Sequence, residues 1–358
     1  MARKPNTVLR RGWTTGACAT AAASAAYEAL LTGAFPDPVA IALPGGEFPS
    51  FPLALKELAA GCARAGVLKD AGDDPDVTHG ALVIAELRHG APGSGVVFRA
   101  GPGVGTVTLP GLDLAVGAPA ITTGPRAMIA AALASRHPTP DVDVTLSIPG
   151  GETLAAKTMN ARLGIVGGLS ILGTTGIVVP YSCSAWIASI ERGVDVARAA
   201  GIAHIAAATG RGSEAAVQRL YGLPEIALID MGDFAGGLLK YLRRHPVPRL
   251  TVAGGIGKLA KLAEGHLDLH SSRSRIAGAD LARRLERCAA PADAVAAARA
   301  TESVGAALAA LDAPWAGTLT RSIVDDARKV AQDRAGPAVD VDIAAFDRAG
   351  TLLAHAKA

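Results

Sequence analysis

Apolar positions along the chain fall into two rhythms. The first stretch with a helical pattern runs from about Thr15 to Thr32, where Thr14 or Thr15 can cap the start and Gly33 supplies a left-handed stop. Its small residues (Gly16, Ala17, Cys18, Ala21, Ser24, Ala25) let either a ligand or a sheet approach the backbone closely. Short β-like runs follow at Val39–Leu43, Gly66–Lys69, Ala81–Leu87, Gly95–Arg99 and Thr106–Leu109, then a helix from Thr123 to about Ser135 and an alternating strand at Val142–Ile148. Strands and helices mix here without a βαβ order. This predicts an N-terminal α+β domain over residues 1–155.

Beyond residue 200 the rhythm becomes regular. Ile202–Ala208, Ile226–Ile229 and Leu250–Ala253 read as buried strands, each followed by a glycine-bearing loop and a helix. Three β–loop–α units in succession predict a Rossmann-like parallel sheet over 156–275, with a glycine-rich linker at its start. Residues 276–358 read as helices (about Gly278–Cys288, Pro291–Leu311 and Thr318–Gln332) and a closing β-hairpin, Val339–Ala345 with Thr351–His355, packed on the preceding domains. The fold class is therefore α/β and α+β in two domains.

Composition narrows the function. Of 358 residues half are hydrophobic but only 4% aromatic, so the core is built of Ala, Val, Leu and Ile. A net charge of +3 with no Lys/Arg stripe gives no support to nucleic-acid binding. The four cysteines are far apart with no CxxC pair, which suggests neither zinc nor a redox dithiol and fits a reducing cytoplasm. Leu163–Ile190 carries no charge but holds five glycines and Pro180 within Leu163–Pro180, which suits strands joined by glycine turns better than a membrane span. Arg10-Arg11 precedes a stretch too polar for an export signal.

Ligands of open parallel sheets bind outside the carboxyl ends of the strands. Those ends here carry Thr209, Gly210, Asp230, Gly232, Asp233, Gly254 and Gly255, the candidate cofactor-binding residues. Glycines admit a ligand to the backbone, and an acid such as Asp230 can accept from ribose hydroxyls, an arrangement that suits an adenosyl cofactor. No GxGxxG with a correctly spaced acid supports a nicotinamide cofactor instead. The run Lys69-Asp70-Ala71-Gly72-Asp73-Asp74-Pro75-Asp76 crowds four carboxylates, which are either a solvated turn, oxygen ligands or proton-handling groups. His266 and His270 are four apart, but Gly265 ends the helix before them, so a polar loop that binds acidic groups is expected rather than a metal site.

Several blocks in fixed order resemble the CbiD family of cobalt-precorrin-5B C(1)-methyltransferases. They are Leu9–Gly16, Lys69–Thr78, Gly103-Val104-Gly105, Pro125–Ile129, Arg162–Gly168 with Ile171–Val178, and Gly257–Ala263 with His270-Ser271. The chain departs from the family around Val179–Ser182, at Gly255-Ile256 and in Tyr181–Trp186. The resemblance implies a cytoplasmic enzyme of cobalamin biosynthesis that uses S-adenosylmethionine to methylate a tetrapyrrole with many carboxylates; a nicotinamide oxidoreductase and a non-catalytic tetrapyrrole carrier are the alternatives. Within the matching acidic block, Asp73 and Asp74 are the candidate catalytic residues; no metal is expected, and a homo-oligomer is one possible assembly. Substrate contacts are expected from Thr14, Thr15, Lys69, Arg126, Arg162, Thr174, Thr175, Lys258, His270 and Ser271, with Lys157 and Arg273 as further cations. A broad cleft is needed, such as a gap between two domains, with Leu163–Pro180 linking the domains and forming part of its wall.

Overall fold

The computed structural model describes residues 8–358. The chain forms a mixed α/β protein of two compact units, one ending at Cys183 and the other running from Ser184 to Ala358. Residues 156–183 thus belong to the first unit, and 276–358 share the second with the preceding strands. Among the described residues no helix is long and apolar enough to cross a membrane.

The first unit is built around the helix Thr15–Thr32. Thr14 caps it, its Oγ1 accepting from the Ala17 N–H at 3.1 Å, and Gly33 ends it at φ 81°. Fourteen of its eighteen residues are buried, so the small side chains serve close packing between a sheet and the helix Thr123–Ala134. The sheet has five strands in the order Leu55–Ala59, Cys62–Leu68, Leu82–His89, Val142–Ser147 and Val96–Ala100. All neighbours are antiparallel except the last pair. Alternation puts Ala63, Ala65, Val67, Val83, Ala85, Leu87, Val144 and Leu146 in the core, while Arg64–Glu86 and Arg99–Asp143 pair on the opposite face. Leu55–Ala59 had no sequence signal of its own because four of its five positions are exposed.

The uncharged stretch is held by two-residue pairings. Gly168–Leu169 runs parallel to Gly103–Val104, Ile165–Val166 antiparallel to Thr106–Val107, and Ile177–Val178 antiparallel to Gly12–Trp13. From Cys183 onward the expectation of strands fails: Cys183–Ala199 is a helix, buried through Ile190, Val194, Val196 and Ala197. Its first half carries no charge, which hid the helical period.

The second unit holds a five-stranded sheet in the order Leu228–Asp230, His204–Ala208, Arg249–Gly255, Asp340–Phe346 and Leu352–Ala356. The first four are parallel and the last is antiparallel. The terminal hairpin is therefore not an appendage, because its first strand extends the parallel sheet. One face (Ile205, Ala207, Leu250, Val252, Val341, Ile343) packs in a large core with Leu238, Leu239, Leu259, Ile323 and Val324 from the helices. The other face, mostly alanine, lies under the helix Arg211–Tyr221 through Ala216 and Val217. The single helix expected over Pro291–Leu311 is two, Ala292–Arg299 and Val304–Ala310, with Ser303 capping the second.

Candidate functional site

Two groups of candidate residues emerge, one in each unit. In the second, the strands leave Ala208, Asp230 and Ala253 level in register across the sheet. The chain leaves His204–Ala208 toward Leu228–Asp230 on one side, whereas it leaves Arg249–Gly255 toward Asp340–Phe346 on the other. The two loops part at this point, so the crevice of the sheet lies between Thr209-Gly210 and Gly255-Ile256-Gly257.

Glycines line this crevice for no steric reason within the protein. A Cβ added at Gly210, Gly212, Gly255 or Gly257 would meet nothing within 4 Å, and none of the four lies in the left-handed region. Gly210 at φ 165° is extended backbone that any residue adopts. Gly254 and Gly232 differ. A Cβ at Gly254 would lie 2.9 Å from Thr209 Oγ1, and Gly232 sits at φ 56° beneath the Trp186 indole. Lys258, expected at the substrate, stands instead over the strand ends: its Nζ donates to the Thr209 carbonyl at 2.7 Å and faces Asp233 Oδ1 at 3.0 Å. Asp233 is buried, and its carbonyl accepts from the Leu269 N–H at 2.9 Å, which seats the Asp268–Ser272 loop beside it. In that loop His270 Nδ1 pairs with Ser272 Oγ at 2.7 Å and Ser271 is exposed, so the histidine is held by its own turn. Trp186, which the sequence did not single out, donates its indole N–H to the Asp230 carbonyl at 3.1 Å. Its only sequence signal was membership of Tyr181–Trp186.

In the first unit the acidic turn is a fastening. Arg10 forks onto Asp70 at 2.5 and 2.9 Å, and the Gly72 N–H donates to the same carboxylate at 2.9 Å. These bonds, the guanidinium above all, hold the Asp70 carboxyl down at about 2. Asp73 accepts from the Arg10 N–H at 2.6 Å, and Asp74 accepts from the Tyr181 N–H at 2.8 Å. Lys69, only 2% exposed, gives its ammonium to Asp76 and, at 2.8 Å, to Thr78 Oγ1. The pairing lowers the Asp76 carboxyl even though burial pushes the other way. Lys69 is thus spent inside the turn. Arg126 is likewise engaged, its Nε on the Ile121 carbonyl at 2.7 Å and its guanidinium 5.3 Å over the Phe98 ring.

Around that turn the structure gathers other candidates. Trp13 donates its N–H to Asp70 O at 2.7 Å, Thr14 to Gly176 O at 2.9 Å, and Gly16 to Leu172 O at 3.0 Å. Thr14 and Thr15 are buried at the start of the first helix, and the exposed Thr174 and Thr175 lie alongside. Arg162 is half-buried, whereas Lys157 and Arg273 are exposed. Among the described residues no group of three His, Cys, Asp or Glu side chains could hold a metal.

Fold and crevice define a mixed α/β protein with uncrowded glycines at the carboxyl edge of a parallel sheet. The family model CbiD matches residues 2–180, and the model CbiD, C-terminal domain, matches 268–357. The cobalt-precorrin-5B C(1)-methyltransferase of Paramagnetospirillum magneticum is 56% identical, covering 97% of this chain and 98% of its own. That of a Bradyrhizobium species is 58% identical, covering 97% and 94%. A crystal structure of the cobalamin biosynthesis protein CbiD from Archaeoglobus fulgidus aligns with a TM-score of 0.40 at 29% identity, over 74% of this chain and 83% of that one. The chain belongs to the CbiD family.

Proposed function

We propose that this chain methylates carbon 1 of cobalt-precorrin-5B to give cobalt-precorrin-6A in corrin-ring construction, with S-adenosylmethionine as the methyl donor. The observation that carries the activity is identity of 56% across 97% of the chain with a protein named for that reaction. The donor's place is read from the Rossmann-like sheet of the second unit, whose crevice carries four glycines that neither packing nor φ requires. Backbone left bare at such a point favours a ligand pressed against it.

The donor supplies a methyl group that is already electrophilic on its sulfonium. The chain's tasks are then alignment, exclusion of water and management of the proton. Asp230 at its strand end is placed to accept from ribose hydroxyls. Asp73 and Asp74, each oriented by a backbone N–H, are the proposed proton-handling pair. Thr174, Thr175, Arg162, His270 and Ser271 are the proposed contacts to the carboxylates of the macrocycle, while Lys69 and Arg126 hold the surface that bears them. Four free cysteines fit the proposed cytoplasmic location.

The test is incubation with methyl-labelled S-adenosylmethionine and cobalt-precorrin-5B, followed by mass spectrometry. One labelled methyl in the product is expected; recovery of unlabelled substrate under saturating donor would refute the activity. Asp230→Ala is expected to weaken donor binding about tenfold, because it removes the carboxylate proposed to accept from the ribose hydroxyls. Unchanged affinity would move the donor elsewhere.

A further inference from the structure

We infer that the strand-end crevice has a fixed polarity, in which Lys258 and Asp233 receive the α-amino-acid group of the donor while the Trp186 end receives its nucleoside. This rests on the donor site proposed above and adds its orientation.

The first observation is a buried acid paired with a partly exposed lysine. Asp233 is 8% exposed, and its Oδ1 lies 3.0 Å from the Lys258 ammonium. The ammonium spends its directed bond on the Thr209 carbonyl at 2.7 Å. Lys258 thus bridges the Thr209 carbonyl and the Asp233 carboxylate. A carboxylate oxygen carries two lone pairs, so after one ion pair Asp233 Oδ1 can still accept from a donor outside the chain. An ammonium has three N–H donors, and Lys258 remains about a third exposed, so it can serve a further acceptor.

A cation and an anion at 3.0 Å, each with bonding capacity left, present a zwitterion. Their complement is a second zwitterion set head to tail: a carboxylate on Lys258 and an ammonium on Asp233. A free α-amino acid group has both charges on one carbon, at that spacing. A phosphate would satisfy Lys258 but would be repelled by Asp233, which argues against a dinucleotide at this point.

The second observation is the opposite character of the other end. Asp230, Ala208 and Ala253 lie level on neighbouring strands, and neighbouring strands are about 4.8 Å apart. At the Asp230 edge of this row the Trp186 indole is tied to the Asp230 carbonyl, rests 3.4 Å from where a Gly232 Cβ would be, and lies 6.4 Å from the Phe234 ring. Aromatic surface beside a carboxylate suits a purine on its ribose. Lys258 reaches in from the helix Ile256–Ala263, which follows the third strand of the row.

Two probes separate the ends. S-adenosylhomocysteine carries nucleoside and amino acid, whereas 5′-methylthioadenosine carries the nucleoside alone. Calorimetric titration of the full chain is expected to show Lys258→Met and Asp233→Asn weakening S-adenosylhomocysteine about tenfold or more, with 5′-methylthioadenosine within about twofold of wild type. Trp186→Ala should weaken both probes, and Trp186→Phe should recover most of the loss. Retained affinity for 5′-methylthioadenosine also reports that the lysine and aspartate variants are folded. If wild type binds both probes but Lys258→Met affects them equally, or neither, the polarity is overturned and the donor site stands. If wild type binds neither probe, the donor site itself fails, and the polarity with it.

Discussion

The two units use glycine for opposite reasons. In the first, Gly103 has φ 78°, and a Cβ there would lie 1.8 Å from the Ile148 carbonyl oxygen. Gly168 would place one 2.4 Å from the Gly103 backbone, and Gly151 one 2.2 Å from the Gly103 oxygen. Three backbones cross there with no room for side chains. In the second unit Gly210, Gly212, Gly255 and Gly257 have room and ordinary dihedrals. Glycine density alone does not distinguish a packed crossing from an open, uncrowded edge. What distinguishes them is whether the protein itself occupies the missing side chain's place.

The largest effects should come from the crossing. Gly103→Ala and Gly168→Val force backbone against backbone, and with φ strain added at Gly103 the expected loss is on the order of 4 kcal/mol or more, most of the stability of a marginal domain. Little folded protein should be recovered, as judged by circular dichroism. Gly173→Val belongs with them, since Gly173 has φ 124° and its Cβ would fall 2.4 Å from the Thr14 side chain. A folded Gly173→Val protein that merely binds substrate poorly would instead return that glycine to the ligand surface.

In the second unit the signs should reverse. Gly257→Ala lies in the first turn of a helix, where replacing glycine stabilises by up to ~1 kcal/mol, yet the added methyl should lower donor affinity. Gly255→Ala should leave stability unchanged and also weaken binding. Melting temperature and calorimetric affinity, measured on the same samples, check both. A variant that gains stability and keeps full affinity would mean that nothing approaches the backbone there.

Smaller effects are expected in the acidic turn. Asp73→Asn and Asp74→Asn keep an oxygen for the Arg10 and Tyr181 N–H groups, so thermal stability should fall little. Turnover should fall at least about tenfold if these carboxylates handle the proton, general acid–base groups contributing typically 10²–10⁴. Full activity in both variants would leave the turn as a fastening only.

How much of this was legible depends on distance along the chain. The strand-end loops could be read because each β–loop–α unit is local: Ala208 is followed at once by Thr209 and Gly210. The crowding of Asp70, Asp73, Asp74 and Asp76 was equally visible, but its partners Arg10 and Tyr181 were not, since the turn is tied to chain 63 residues before it and 107 after. Asp340–Phe346 read as half of a hairpin because its other neighbour, Arg249–Gly255, lies across four intervening helices beyond Ile256–Ala263. Trp186 was hidden for the same reason, its bond to Asp230 spanning 44 residues. Period and turn chemistry report local structure, whereas a fastening joins segments that share no period.

The smallest effect concerns Arg10 and can be isolated by pH. Arg10 and Asp70 are both well exposed, with side chains 58% and 43% accessible, so solvent screens the pair and Arg10→Met should lower the melting temperature only slightly near neutral pH. The Asp70 carboxyl is held at about 2, below the ordinary 3.8, first by the guanidinium bond and then by the Gly72 N–H. A carboxyl depressed on folding stabilises the folded state above its unfolded value, and that contribution is lost as pH falls through the folded one. The difference between wild type and Arg10→Met should therefore be constant down to about pH 4 and shrink between about pH 4 and 2. Other carboxyls titrate in the same range, but they do so in both proteins and cancel in the difference. The Arg10 backbone bonds to Asp73 survive the substitution and should not contribute. Paired thermal melts across that window decide the matter: a difference that persists undiminished at low pH would mean that Arg10 acts through the packing of its side chain rather than through Asp70.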